Sequence, residues 1–122
     1  MHKGSLEYEQ ALDTVVNILR TRARSGAGPL PYGDLSAALE RLGHHVPPHE
    51  GPMPRLLEDA SARDNPDGSL PLLSALVVLK DSRWPAAGFF KLAHRAPYDR
   101  PGDDALLWTR ELKALAEYYA DH

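Results

Sequence analysis

The stretch from Leu70 to Ala93 reads LPLLSALVVLKDSRWPAAGFFKLA, and it decides the fold that the sequence predicts. Its first part is too apolar and too rich in β-branched residues for a loop, and it is too short for an ordinary helix. This composition is typical of a buried strand. Residues that break regular structure follow, namely Asp81, Ser82, Pro85 and Gly88. The apolar pair Phe89-Phe90 comes next, so we predict a β-hairpin with a long loop over about residues 72–93.

Apolar residues at helical spacing fill most of the remaining chain, and an isolated hairpin needs such helices to cover it. We predict helices over about residues 5–25, 32–43, 52–63 and 104–120. Ser5 is a suitable N-cap for the first helix and Gly26 a suitable stop. Three helices followed by a hairpin are the layout of a winged helix-turn-helix. The predicted fold class is therefore α+β, with residues 1–122 forming a single winged-helix-like domain that has an additional C-terminal helix.

Composition excludes several classes of function. The 122 residues carry a net charge of −3 and contain no cysteine, which excludes disulfides, thiolate metal sites and a cysteine nucleophile. No apolar run approaches the roughly 20 residues of a membrane helix, and the N-terminus lacks the apolar core of a signal peptide. We also find no serine, histidine and acidic residue arranged in the order of a catalytic triad, no pair of carboxylates that suggests an active site, and no phosphate-binding glycine loop. We therefore expect a cytoplasmic protein that is not an enzyme, does not contact a membrane and needs no cofactor.

A family resemblance begins at Pro31-Tyr-Gly-Asp-Leu-Ser-Ala-Ala-Leu and continues through Asn65-Pro66 to an apolar run led by Pro71. Over about residues 30–78 the chain resembles the winged-helix DNA-binding domain of the alkylguanine-DNA alkyltransferases and their catalytically dead alkyltransferase-like relatives. That family carries a Tyr-Gly-Glu-Leu-Ala helix start, an arginine-bearing recognition helix, an Asn-Pro turn and a Pro-Cys-His-Arg-Val active-site run. This chain has Pro71-Leu-Leu-Ser-Ala75 in place of the active-site run. The resemblance therefore implies the fold and DNA binding, and the missing thiol excludes alkyl transfer.

Basic residues in three places suggest how double-stranded DNA would be bound. We predict that Arg55 and Arg63 approach the groove, that residues of the hairpin contact phosphates, and that the end of the first helix flanks them. The nucleic-acid-binding residues predicted in this way are Arg20, Arg24, Arg55, Arg63, Lys80, Arg83, Lys91 and Arg95. Acidic residues on the third helix disfavour its insertion into the groove, and the arginines of the first helix also suit a purely structural role at its C-terminus.

Two alternative functions remain open at this stage. Aromatic residues predicted to contact a partner are Trp84 at the hairpin tip and Trp108, Tyr118 and Tyr119 on the last helix. They favour a protein-interaction module or a homodimer formed through the C-terminal helix. The loop residues His44, His45 and His49 could instead chelate a metal ion in a metal-responsive regulator, but a solvated loop is the better explanation for them, so we predict no metal site.

Overall fold

The computed structural model describes residues 1–122 and shows a mixed α/β fold with five α-helices and a two-stranded parallel sheet. The four helices predicted from the sequence are present close to their predicted ends, and a fifth helix, which was not predicted, precedes the last one. In chain order the elements are α1 (Leu6–Ser25), β1 (Leu30–Pro31), α2 (Tyr32–Arg41), α3 (Met53–Ala62), a 3-10 helix (Leu73–Leu76), β2 (Val77–Val78), α4 (Ala87–His94) and α5 (Asp104–Ala120).

Helix α1 is the element around which the others pack. It contacts α2, α3, α5 and the 3-10 helix. The Oγ atom of Ser5 accepts a hydrogen bond from the backbone N–H of Tyr8 at 3.1 Å, which satisfies one donor of the first turn. Gly26 ends the helix at φ 69°, a left-handed conformation that glycine adopts without strain. Val15 and Leu19 are fully buried at the centre of the core.

The predicted hairpin over residues 72–93 is wrong. The apolar run forms the 3-10 helix and then only two strand residues, and these pair in parallel with β1 at Leu30↔Val77 and Pro31↔Val78. Pro31 has no N–H to donate, which keeps this ladder short. A tight turn follows, in which the N–H of Leu79 donates to the Trp84 carbonyl oxygen at 2.9 Å.

The Phe89-Phe90 pair lies in α4 rather than in a second hairpin strand. Both rings are buried, and so is Ala93, which is one helical turn after Phe89. The segment from 87 to 94 contains no β-branched residue, and its alanine and leucine residues favour helix. Helix α4 therefore occupies the place where we predicted the outer strand of the wing.

A buried ion pair fixes the chain before and after α4. Arg100 Nε donates to Glu111 Oε1 at 2.6 Å, and both side chains are largely inaccessible to water. The other carboxylate oxygen of Glu111 accepts from the backbone N–H of Leu72 at 2.9 Å. These contacts tie the loop before α5 to the segment that enters the 3-10 helix.

None of the helices has both the length and the apolar content needed to cross a bilayer.

Candidate functional site: an apolar pocket with a cationic rim

A small pocket of about 170 Å³ opens where the start of α2, the outer face of α3 and the first turn of α4 meet. We call it the apolar pocket. Its lining is mostly hydrocarbon with a few polar groups, the composition expected of a ligand site. The lining residues are Tyr32, Pro54, Leu57, Glu58, Ser74, Ala86, Gly88, Phe89 and Leu92.

Tyr32 is the first residue of α2 and forms one wall of the apolar pocket. Leu35 and Leu39 are fully buried and anchor α2 against the core, which holds Tyr32 in place. The ring centroid of Tyr32 lies 5.1 Å from that of His49. Burial raises the pKa of Tyr32 above its usual value, so its hydroxyl stays neutral at physiological pH and can both donate and accept a hydrogen bond.

Ser74 is buried in the 3-10 helix at the floor of the apolar pocket. Its Oγ atom lies 2.8 Å from Ser61 Oγ, which also accepts the backbone N–H of Ser74 at 3.0 Å. Neither hydroxyl is hydrogen-bonded to a histidine or a carboxylate. Ser74 therefore has no general base in contact with it that would activate it as a nucleophile.

Three cationic side chains lie close in the chain to residues that line the apolar pocket, and one of them, Arg55, lines a neighbouring cavity that shares Pro54 and Glu58 with it. Arg95 pairs with Glu58 at 3.3 Å, and both side chains are about half exposed. Arg55 precedes Glu58 by three residues on α3, and Lys91 follows Gly88 by three residues on α4, so each lies one turn from a lining residue. Arg55, Lys91 and Arg95 are all exposed, and we call them the cationic rim.

Comparisons with protein-family models, curated proteins and solved structures give no match. The resemblance to the alkyltransferase domain therefore rests on the residues of this chain.

The other predicted nucleic-acid-binding residues lie elsewhere. Arg20, Arg24 and Arg63 line a second cavity, at the C-terminal end of α1. Lys80 and Arg83 lie exposed in the turn between β2 and α4. The eight predicted cations thus divide into three groups, and the cationic rim is the group that borders the apolar pocket.

The predicted partner-binding aromatics make contacts within the chain. The ring of Trp84 lies 5.0 Å from that of Trp108 and 5.7 Å from that of Phe90. Trp108 Nε1 donates to the Ala75 carbonyl oxygen at 2.9 Å. Tyr119 is only 8% exposed. Trp84 is therefore part of the packing between α4 and α5 rather than the tip of a hairpin, and dimerisation through α5 stays a prediction.

The three loop histidines contact different parts of the chain. His44 Nε2 lies 3.1 Å from Thr14 Oγ1, and His45 Nδ1 lies 3.1 Å from Glu40 Oε2. His49 packs on the ring of Tyr32. No group of three or more histidine, cysteine, aspartate or glutamate side chains converges as a metal site would require.

Sequence reasoning did not find the contributions of Ser74, Gly88, Phe89 and Leu92 to the apolar pocket. It placed Gly88 in a loop and Phe89 on a strand. The helical spacing of Gly88 and Leu92, four residues apart, was the signal that could have placed them on one face of α4. Arg55, Lys91 and Arg95, in contrast, were all selected from the sequence as nucleic-acid-binding residues.

Proposed function

We propose that this protein binds nucleic acid without catalysis, taking an unstacked base into the apolar pocket and the flanking phosphates onto the cationic rim. The observation that carries this proposal is the apolar pocket itself, a small cavity bordered on adjacent helical turns by exposed cations. A base has apolar faces and a charged backbone on either side of it. The pocket and the rim offer the complementary surfaces in that arrangement.

The lining chemistry suits a nucleobase. Leu57, Phe89 and Leu92 provide apolar surface for its faces, and stacking on an aromatic ring such as that of Phe89 contributes about 1–3 kcal/mol per base in proteins that bind single strands. The carboxylate of Glu58 can accept a hydrogen bond from an exocyclic amino group. The hydroxyl of Tyr32 supplies a second polar contact. The volume is below the ~300 Å³ at which sites for drug-sized ligands begin, which fits a single small ring system.

The charges at the rim favour a polyanion. Glu58 is the one carboxylate in the lining, and its partner Arg95 offsets it. Arg55 and Lys91 then leave the rim with excess positive charge, which binds phosphates and releases counterions. Removing a base from a stack costs least in a single strand or at a mismatch. We therefore expect single-stranded or mismatched DNA to bind more tightly than an intact duplex.

In this proposal, α1, α2 and α3 correspond to the helices of a winged-helix domain, and α4 takes the place of the wing. Binding would then use the ends of α2, α3 and α4 rather than insertion of α3 along its length into a groove. This explains why the acidic residues of α3 are compatible with binding. A cytoplasmic location and a role in regulation or DNA maintenance accompany the proposal as predictions.

Fluorescence anisotropy with a labelled single-stranded oligonucleotide tests the proposal. We expect binding at micromolar protein and ~50 mM salt, with log K falling by about 0.7 per phosphate contacted as log salt rises. The variants Arg55→Gln and Lys91→Gln should each weaken binding and reduce that slope. Arg41→Gln is the matched control, because Arg41 is an exposed arginine on α2 that lines neither cavity. Absence of binding by the wild-type protein, or an equal loss in Arg41→Gln, would contradict the proposal.

A further inference from the structure

The second cavity has a volume of about 230 Å³ and lies where the C-terminal ends of α1, α3 and α5 come together. We call it the arginine cavity. Its lining combines guanidinium groups from α1 and from the end of α3 with aromatic rings from the end of α5. No residue lines both cavities, although each cavity includes residues of α3 in its lining.

Arg20 shows an unmet need for a hydrogen-bond acceptor. Its Nε atom is the one buried side-chain nitrogen or oxygen in the protein that has no hydrogen-bond partner. The guanidinium donates from Nη2 to Asp64 Oδ2 at 3.2 Å, and the Asp64 side chain is 73% exposed. A buried donor without an acceptor costs free energy. The Arg20 side chain as a whole is 26% exposed and lines the arginine cavity, so a ligand oxygen there can accept from its other nitrogen atoms.

Positive charge exceeds negative charge in the lining. Arg20, Arg24 and Arg63 contribute three guanidinium groups, and Asp64 contributes the one side-chain carboxylate of the lining. Arg63 also pairs with Asp13 outside the cavity at 3.0 Å, so the excess positive charge lies mainly on Arg24.

Arg20 and Arg24 are four residues apart on α1, so they lie on the same face and repel each other. Arg24 Nη2 donates to the backbone oxygen of His122 at 3.0 Å, and the guanidinium lies over the ring of Tyr119, 5.9 Å from its centroid. An anion held between these side chains would relieve the repulsion.

One wall of the arginine cavity is a flat aromatic pair. The rings of Tyr118 and His122 are stacked with their centroids 4.0 Å apart and an angle of 4° between their planes. The Nδ1 atom of His122 lies 2.6 Å from the Tyr118 carbonyl oxygen, which fixes the histidine ring in this position. Tyr118 is partly exposed, so this wall can meet the planar group of a ligand.

We propose that the arginine cavity binds a phosphoryl dianion, with the forks of Arg20 and Arg24 on its oxygens and the Tyr118–His122 wall beside the group esterified to it. Arginine forks match phosphate oxygens in geometry and charge. The same chemistry comes from inorganic phosphate or from an aromatic phosphomonoester. The site is independent of the nucleic-acid proposal, because neither Arg20 nor Arg24 belongs to the cationic rim.

Calorimetry with inorganic phosphate and with phenyl phosphate, at constant ionic strength, tests this site. We expect both to bind the wild-type protein, and Arg20→Gln and Arg24→Gln each to weaken binding by about tenfold or more, because each removes a charge-assisted contact. Arg41→Gln is the control that should bind phosphate as the wild type does, because Arg41 is exposed and lines neither cavity. A thermal melt of each variant without ligand verifies that it folds. If Arg20→Gln fails to fold, Arg24→Gln still tests the proposal.

The two probes also distinguish the source of the phosphoryl group. Tighter binding of phenyl phosphate that is lost in Tyr118→Ala assigns the site to an aromatic ester, whereas equal binding of both probes assigns it to free phosphate. Absence of heat with either probe at millimolar concentration would overturn the proposal. Binding that persists unchanged in both Arg20→Gln and Arg24→Gln, or that falls equally in Arg41→Gln, would overturn it as well. None of these results depends on whether the protein binds nucleic acid.

Discussion

Replacing Arg100 by methionine should destabilise the protein more than any other single change outside the apolar core. Besides its 2.6 Å contact with Glu111, the guanidinium donates to three backbone carbonyl oxygens at 2.7 to 3.0 Å. Glu111 is only 5% exposed. Methionine removes the cation but leaves a buried carboxylate without its partner, a change that costs about 3–5 kcal/mol.

The matched variant is Glu111→Gln, which keeps an oxygen to accept the N–H of Leu72 but removes the negative charge. We expect it to cost less, about 1–3 kcal/mol, because Arg100 retains its backbone acceptors. The double variant should be more stable than the sum of the two single losses predicts, since it leaves no unpaired buried charge.

Urea unfolding measured by circular dichroism, with the slope m compared among the variants, gives these free energies. For a chain of this length each kcal/mol corresponds to roughly 4 °C in Tm, so Arg100→Met should melt roughly 10–20 °C below the wild type. A loss under ~1 kcal/mol in Arg100→Met, or strict additivity in the double variant, would refute the account of this ion pair. Because the pair fixes the chain on both sides of α4, Arg100→Met should also weaken binding at the apolar pocket.

Two further predictions concern buried polar groups. Burial and the hydrogen bond to Asp59 raise the pKa of Tyr8 above its usual 10.0, so its neutral phenol stabilises the fold fully below that pH and the contribution is lost as the pH rises. Tyr8→Phe should therefore flatten the alkaline loss of stability in urea melts, and an unchanged slope would contradict this assignment. Asn65→Ala should cost about 1–3 kcal/mol, because the buried amide bonds both the N–H and the carbonyl oxygen of Leu70. Hydrogen exchange at Leu70 should accelerate in that variant, and unchanged exchange together with an unchanged Tm would show the amide to be dispensable.

Helices with clear caps were predictable from the sequence. Ser5 and Gly26 fix the ends of α1, and Asp103 caps α5 by accepting the N–H of Leu106 at 2.9 Å. Local signals suffice in these places, because a capped amphipathic segment has one good way to satisfy its backbone and bury its apolar face.

The region from Leu70 to Ala93 shows where local signals fail. Every residue from 72 to 78 is buried, so the run carries no alternation of exposed and buried positions that would separate a strand from a 3-10 helix. Its two strand residues pair with β1, which is more than 40 residues earlier in the chain. The Phe89-Phe90 pair fits either a strand or a helix until Trp84, which also contacts Trp108, is known to pack against Phe90.

The apolar pocket was not predictable for the same reason. Its walls come from α2, α3, the 3-10 helix and α4, and it exists only because α4 is helical. The residues of its cationic rim, in contrast, were predicted to bind nucleic acid from their charge alone, because arginine and lysine can be identified in a sequence before their positions are known. The grouping of these cations depends on tertiary packing, which separates them from Arg20, Arg24 and Arg63.

Filling the apolar pocket at Gly88 tests the central claim most directly. Gly88 lines the pocket, and a Cβ atom added there meets no other atom within 4 Å, so Gly88→Leu places a bulky side chain at the edge of the pocket without a steric clash. Gly88→Ala is the matched control, because it makes the same backbone change and fills little of the space. We expect Gly88→Leu to fold as stably as the wild type and to bind single-stranded oligonucleotide at least about tenfold more weakly, which is the loss of roughly one stacked base. Gly88→Ala should bind nearly as the wild type does. Equal affinity of Gly88→Leu and the wild type for the oligonucleotide would contradict the claim that a base enters this pocket.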